Sequence, residues 1–357
     1  MVQKCFEKVL RGENLEREES AAALEEMLSE QATPTRMAAL LVALAMKGET
    51  EDELLGMAQA LRCQVGAGKP EGDKPYGPVE VGLSSSGRRF LNSQTSVATF
   101  PISTAAAFVI AGAGVRALQN AVRCGEGGLD RAAVLEALGI NTQIPAEKIA
   151  RCVEETRLGF LFEPLPDDAP GDVPSGAMER LRFALREIPI PTILNLLVGL
   201  LNPGNAPAMV VGVHSEAIAE TFGRVAKQLG IRRAYVFHGS DGLDEITNTG
   251  PTTLVAVREG ETFLWRIEPG DFGFPTVKLH ELAGGDVKAC ADILQSILRG
   301  EAGPRRQVVL LNAAPALACA GAARDLEEGI RLAEQAIDSG EALQVLKRLA
   351  QLTQGDG

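Results

Sequence analysis

Histidine is nearly absent from this chain, with three in 357 residues. A metal centre built on imidazole is therefore not expected. A surplus of basic charge is missing too. Lys and Arg number 35 against 47 Asp and Glu, a formal net charge of -12, and such a field repels phosphate backbones at long range. Sequence-independent nucleic-acid binding is disfavoured, short of a local basic patch. No pair of cysteines falls in a CxxC spacing, and the six (5, 63, 124, 152, 290 and 319) are scattered. They read as free buried thiols of a cytosolic protein, not as a disulfide framework. Long apolar runs are also lacking. Phe100–Val115 and Ile188–Leu201 are the most apolar stretches, and each is shorter than the ~20 residues a spanning helix needs. Nor does Met1-Val-Gln-Lys-Cys-Phe-Glu have the basic-then-apolar order of a signal peptide.

What is present is enough for a sizeable core. Hydrophobic residues make up 45% of the chain, and the length suggests roughly two domains of ~150 residues each. Residues 1–65 read as helices. Leu24, Met27 and Leu28 recur at helical spacing, and Thr33-Pro34 is a cap followed by proline at the first helical position. The helix Met37–Met46 is apolar on nearly every side, which predicts burial inside a domain or between subunits. Gly48 ends it, and Thr50-Glu51-Asp52-Glu53 is a capping box for the next helix. Residues 66–78 are rich in Gly and Pro and lose all apolar period, as a hinge would. A second break runs from Glu163 to Gly176.

Beyond Pro207 the pattern changes. Ala208–Val213 and Ala234–Phe237 are short apolar runs on either side of an amphipathic helix, Glu216–Gly230. That order predicts a βαβ unit and a parallel sheet covered by helices. Thr252–Val257 and Val308–Leu311 are further strand candidates, and Gln344–Thr353 a C-terminal helix. The fold class expected is α/β with a small all-helical N-terminal domain. Residues 1–65, joined in space by part of 163–190, form that domain; 66–78 are the hinge; 79–357 form the α/β domain, a mostly parallel sheet flanked by helices.

Candidate chemistry concentrates in Phe237-His-Gly-Ser-Asp-Gly-Leu-Asp-Glu245. It leaves the end of a strand, where open α/β sheets place their ligands. Asp244 and Glu245 supply the oxygen ligands that Mg²⁺ prefers, and so could neutralise a diphosphate. The same residues would also serve as a solvated acidic turn with an aspartate cap. Ser103-Thr104 would cap a buried helix, or use that helix N-terminus to hold phosphate. Gly82-Leu-Ser-Ser-Ser-Gly-Arg88-Arg89 could cradle a phosphate or be a surface turn. His214, His238 and His280 fit structural roles better than catalytic ones, and no Ser-His-Asp or Cys-His order stands out.

The stretch Phe237-His-Gly-Ser-Asp-Gly-Leu-Asp-Glu-Ile resembles the HGxDGLDE signature of anthranilate phosphoribosyltransferases. Lys47-Gly-Glu-Thr, Ile102-Ser-Thr-Ala-Ala-Ala, Leu200-Leu-Asn-Pro203, Asp271-Phe-Gly, Gly284-Gly-Asp286 and Leu310-Leu-Asn-Ala-Ala314 are similar to other landmarks of that family, in the same order. The resemblance covers nearly the whole chain. It implies a homodimer joined through the helical domain and Mg²⁺-dependent transfer of a pentosyl group from a phosphorylated sugar. It implies Asp244 and Glu245 as the metal pair, and Ser103, Thr104 and Arg123 at the substrate, with Arg88 and Arg89 as further candidates.

The departures are equally specific. The family's glycine-rich GTGGD loop should precede Thr99, where the chain has Leu91-Asn-Ser-Gln-Thr-Ser-Val-Ala98. KHGNR aligns with Gln119-Asn-Ala-Val-Arg123, the asparagine of NxST with Pro101, and the anthranilate-binding arginine with Pro191. The histidine of HPA has no counterpart in Glu163–Gly176. Losing one charged pair typically costs about 2–5 kcal/mol of binding, roughly 30- to 4,000-fold. The expected function is thus a divergent pentosyl- or phosphoribosyltransferase with a different acceptor. The alternatives are a catalytically silent binding or regulatory module, and anthranilate phosphoribosyltransferase itself.

Overall fold

A computed structural model describes residues 1–29, 31–64, 78–85, 97–120, 130–162, 176–188, 190–202 and 204–355. The chain opens with helices α1 (Val2–Leu10), α2 (Arg17–Leu28), α3 (Pro34–Lys47) and α4 (Glu51–Gln64). Their ends follow from the sequence. Thr33 caps α3 by accepting from Arg36 N, and Gly48 closes it at φ 89°. The Thr50–Glu53 box forms in both directions, with Thr50 N donating to Glu53 Oε2 at 2.8 Å and Glu53 N to Thr50 Oγ1 at 3.4 Å. Helix α3 buries Met37, Leu40, Leu41 and Leu44 but leaves Met46 79% exposed, so its all-round apolar surface is not all covered within one chain.

The larger part begins with β1 (Val81–Ser85), α5 (Ile102–Gly112) and β2 (Ala117–Asn120). Then come α6 (Arg131–Ala137), α7 (Ala146–Thr156) and β3 (Leu158–Leu161). Two helices, α8 (Ala177–Glu187) and α9 (Ile193–Leu201), return to pack on α2, α3 and α4. The chain continues through β4 (Ala208–Gly212), α10 (Glu216–Gln228), β5 (Arg233–Gly239), β6 (Thr252–Arg258) and β7 (Glu261–Ile267). Four helices finish it: α11 (Val287–Leu298), α12 (Pro304–Ala320), α13 (Leu326–Asp338) and α14 (Glu341–Gln354). The strands form one sheet, ordered β3-β2-β1-β4-β5-β6-β7. The first five are parallel and the last two antiparallel. A small helical unit and a larger, mostly parallel α/β unit are thus both present. No helix of the described residues is long and apolar enough to cross a membrane.

Two expectations are corrected. Val308–Leu311 is not a strand but part of α12, whose interior is buried over most of its length. A short apolar run has the same sequence pattern in a buried helix as in a buried strand. Ser103 and Thr104 do not cap α5 through their side chains; the cap position is Pro101, and the pair lies inside the first turn. Of the connector at 66–78 and the break at 163–176, all but Pro78 and Gly176 lie outside the described residues.

The candidate site at the crest of the parallel strands

The sheet order reverses between β1 and β4. From β1 the chain crosses by α5 to β2 on one side, and from β4 by α10 to β5 on the other. Such a reversal opens a crevice at the carboxyl ends of the strands. Leu83, Ser85, Ser103, Gly212, Asp244, Glu245 and Asn312 line a cleft there.

The loop after β5 is built to deliver its carboxylates into that crevice. Gly239 N donates to Leu243 O at 2.8 Å, and Gly242 takes φ 83°, which only glycine adopts without strain. Asp241 is consumed inside the loop. Its Oδ1 accepts from Leu243 N, and its Oδ2 accepts from the Thr247 and Thr249 hydroxyls, both at 2.6 Å. His238 Nδ1 lies 2.9 Å from Val213 O, which ties the loop to the end of β4. The other two acids of the motif, Asp244 and Glu245, line the cleft.

Those two are buried, Asp244 at 3% and Glu245 at 5% exposure. The Ser85 hydroxyl donates to Asp244 Oδ2, and Ser103 N donates to Glu245 Oε1 at 3.2 Å. Glu245 thus faces the N-terminus of α5, where free N–H groups and the helix dipole favour an anion. Gly212 pairs in register with Ser85 and carries no side chain for a steric reason: a Cβ there would stand 1.8 Å from Asp244 O. From below, Asn312 of α12 clamps the next residue. Its Oδ1 accepts from Ile246 N at 2.9 Å, and its Nδ2 donates to Ile246 O at 2.7 Å and Val308 O at 2.8 Å.

The cleft brings together Asp244, Glu245 and Ser103 of the residues singled out in the sequence. Thr104 is buried one residue deeper in α5 and does not line it. Arg88, Arg89 and Arg123 lie outside the described residues. Asn312 was legible only as part of a family landmark, because its role depends on a contact 66 residues away. Gln119 and Asn120 end β2 beside β1. They are buried at 2% and 5%, and Gln119 Oε1 and Asn120 Oδ1 find no hydrogen-bond partner among the described residues.

The donors fit Mg²⁺. They are all oxygens, and Ser103 Oγ is buried with no hydrogen-bond partner among the described residues. No cluster of three or more His, Cys, Asp or Glu suited to a metal occurs among the described residues. A pair of carboxylates matches a cation that takes its remaining ligands from water and substrate phosphate.

The helical bundle domain of a glycosyl transferase family matches residues 3–64, and the α/β domain of that family matches 95–343. The anthranilate phosphoribosyltransferase of Moorella thermoacetica is 40% identical over 349 residues, covering 98% of this chain and 97% of that protein. That of Syntrophotalea carbinolica is 38% identical over 359 residues, covering 99% and 100%. Among solved structures, the anthranilate phosphoribosyltransferase of Thermus thermophilus superposes with a TM-score of 0.78 at 30% identity, covering 98% of this chain and 99% of that one. The Saccharomyces cerevisiae protein in complex with PRPP and Mg shares the fold, with a TM-score of 0.75 at 22% identity. With both of its parts matched along nearly their whole length, the chain belongs to the anthranilate phosphoribosyltransferase family of glycosyl transferases.

Proposed function

We propose that this chain is a Mg²⁺-dependent phosphoribosyltransferase that moves the phosphoribosyl group of phosphoribosyl diphosphate to an amine. Anthranilate is the first acceptor to test, since its relatives bear that name. The observation that carries the donor half is the buried Asp244–Glu245 pair facing the start of α5, with the unpartnered Ser103 hydroxyl beside it. Asp244, Glu245 and Ser103 would hold Mg²⁺, which supplies neutralisation of the departing diphosphate. The protein's own part is positional. Ser85 and Asn312 fix the acids, and the apolar walls of Leu83, Ala106 and Val210 narrow the water-filled volume around the sugar.

A second reading concerns the acceptor. Gln119 and Asn120 stand where the family resemblance implies a lysine and a histidine, and Pro191 where it implies the arginine that pairs with a carboxylate. The buried amides are neutral and present unpartnered acceptor oxygens, which suits an acceptor that donates hydrogen bonds in place of one that carries charge. Diphosphate release with anthranilate and with aniline, a neutral amine, separates the readings. Turnover that requires the carboxylate supports the anthranilate reading. Turnover with aniline at least as fast supports the neutral acceptor. No calorimetric binding of phosphoribosyl diphosphate with Mg²⁺ at millimolar concentration sinks both and leaves a silent binding module.

The helical unit is also proposed as a dimer surface. Leu10, Met46 and Phe183 are 64%, 79% and 47% exposed on α1, α3 and α8. Helix α3 packs against both of the others, so these apolar side chains belong to adjoining elements.

A further inference from the structure

We propose that β7 is a second self-association surface, on which another copy of this chain pairs antiparallel and continues the sheet. This inference is independent of the reaction assigned to the cleft. Among the described residues, strand β7 ends the sheet. An open edge is normally blunted by Lys, Pro, a bulge or an unusually short strand. Glu261-Thr-Phe-Leu-Trp-Arg-Ile267 has no Lys, Pro or bulge over seven residues, its register with β6 is unbroken, and Arg266 is the one charge among its outward-facing residues. Instead it carries Phe263, Leu264 and Trp265 at 43%, 55% and 39% exposure. Trp265 is the single tryptophan of the chain.

The register states which groups face outward. Arg258 and Glu261 close a hairpin over Glu259-Gly260, whose φ values are 50° and 79°. A two-residue turn of this kind is flanked by a hydrogen-bonded pair. Bonding to β6 then alternates through Glu261, Phe263, Trp265 and Ile267. Thr262, Leu264 and Arg266 turn their N–H and C=O groups to the open side.

That alternation limits the partners. A copy related by a twofold axis can pair only between these outward residues. With the axis at Leu264, that residue meets its own copy, and Thr262 lies opposite the partner's Arg266, twice. On the other face Phe263 then meets the partner's Trp265, twice, at non-hydrogen-bonded positions where side chains approach most closely. Phe263 and Trp265 already stack at 6.3 Å between ring centroids, and Arg258 lies over Trp265 at 5.5 Å. The axis at Arg266 would instead oppose two guanidiniums. Leu264 is the centre of the strand, so this register pairs all seven residues and opposes no like charges, and this argues for a second copy as the occupant. One strand edge buries less than the ~1,600 Å² of a typical stable complex, so the pairing belongs to the micromolar-to-millimolar range. Copies each carrying -12 repel, and salt strengthens the association by screening that repulsion.

The test follows Trp265 emission and sedimentation of the full chain from micromolar to millimolar protein. Burial of the one tryptophan in the pairing shifts emission to the blue as mass rises. Leu264→Pro removes an outward donor without touching the β6 ladder and abolishes the blue shift. Thr262→Glu places an acid opposite the partner's Arg266 and tightens association, whereas Thr262→Lys loosens it. Each change is about 2- to 30-fold, from two cross-strand charge pairs. Emission that does not vary with concentration in the parent chain overturns the proposal. So does association indifferent to Leu264→Pro, or the same response to Thr262→Glu and Thr262→Lys.

Discussion

Ser103 pairs a structural cost with a functional use. Its hydroxyl is buried in the cleft without a partner among the described residues, and a buried unsatisfied polar group costs about 1–3 kcal/mol. A protein keeps such a group where a ligand completes it. Ser103→Ala is therefore expected to leave stability unchanged or raise it by up to about 1 kcal/mol. The same change should weaken Mg²⁺-dependent binding of phosphoribosyl diphosphate roughly 10- to 100-fold, the worth of a hydrogen bond to a charged group. Urea unfolding and calorimetry on one preparation check both halves. A loss of stability without loss of binding would make Ser103 a packing residue. Cys319 shows the opposite economy, being buried with its thiol donating to Met209 O at 3.6 Å. Burial pushes its thiol from the ordinary 9.0 up to about 12, and that of Cys152 up to about 11. Below pH 9 both thiols are protonated in the folded and unfolded chains alike. As pH rises further the unfolded chain ionises first, so stability is lost from about pH 9 towards 12. The urea midpoint should fall between pH 8 and 10.5, and fall less in Cys319→Ala. An equal fall in both would remove Cys319 as a cause.

At the scale of elements, α12 holds the acid-bearing loop at a distance. Asn312 satisfies both backbone groups of Ile246 and also bonds within its own helix. Asn312→Leu keeps the volume and leaves a buried N–H and C=O unpaired, at about 1–3 kcal/mol each. The expected result is a loss of roughly 2–5 kcal/mol in urea, together with weaker Mg²⁺ binding because Glu245 is no longer fixed. Loss of stability with metal binding intact would confine Asn312 to the scaffold. The same region marks how far the sequence could be read. The strand ends at β4 and β5, the box at Thr50–Glu53 and the acids at Asp244–Glu245 were legible, because each rests on local pattern or turn chemistry. Val308–Leu311 was not, since an apolar run buried on every side has no period to declare its type. Asp241 was equally opaque. Whether an acid in this loop faces a ligand or its own threonines depends on the side chains of Thr247 and Thr249, and no spacing rule distinguishes those fates.

For the whole molecule, the connector at 66–78 suggested two separable domains, but packing sets the energetics. One apolar core runs from Leu24, Leu54 and Leu61 of the helical unit, through Leu197 of α9 and Phe222 of α10, to Met209, Val211, Val236 and Val255 of the sheet. Helices α5, α12 and their neighbours cover the other face of that sheet. The helical unit therefore covers the sheet through α9 and α10 and does not simply hang from it. Polar contacts follow the same seam: Arg224 Nε donates to Glu51 Oε2 at 2.7 Å and Arg62 Nη1 to Leu229 O at 3.0 Å. Domains that fold alone meet through small, mostly polar surfaces and melt separately. A shared core predicts one calorimetric transition, with calorimetric and van't Hoff enthalpies equal. Leu24→Ala is the sharper probe, because Leu24 is fully buried in α2, far along the chain from the sheet. Its truncation should cost about 2–5 kcal/mol and move the single transition as a whole. Were the helical unit energetically separate, the same variant would split the trace and lower only its first component. The sheet with its Asp244–Glu245 site would then melt at the parent temperature.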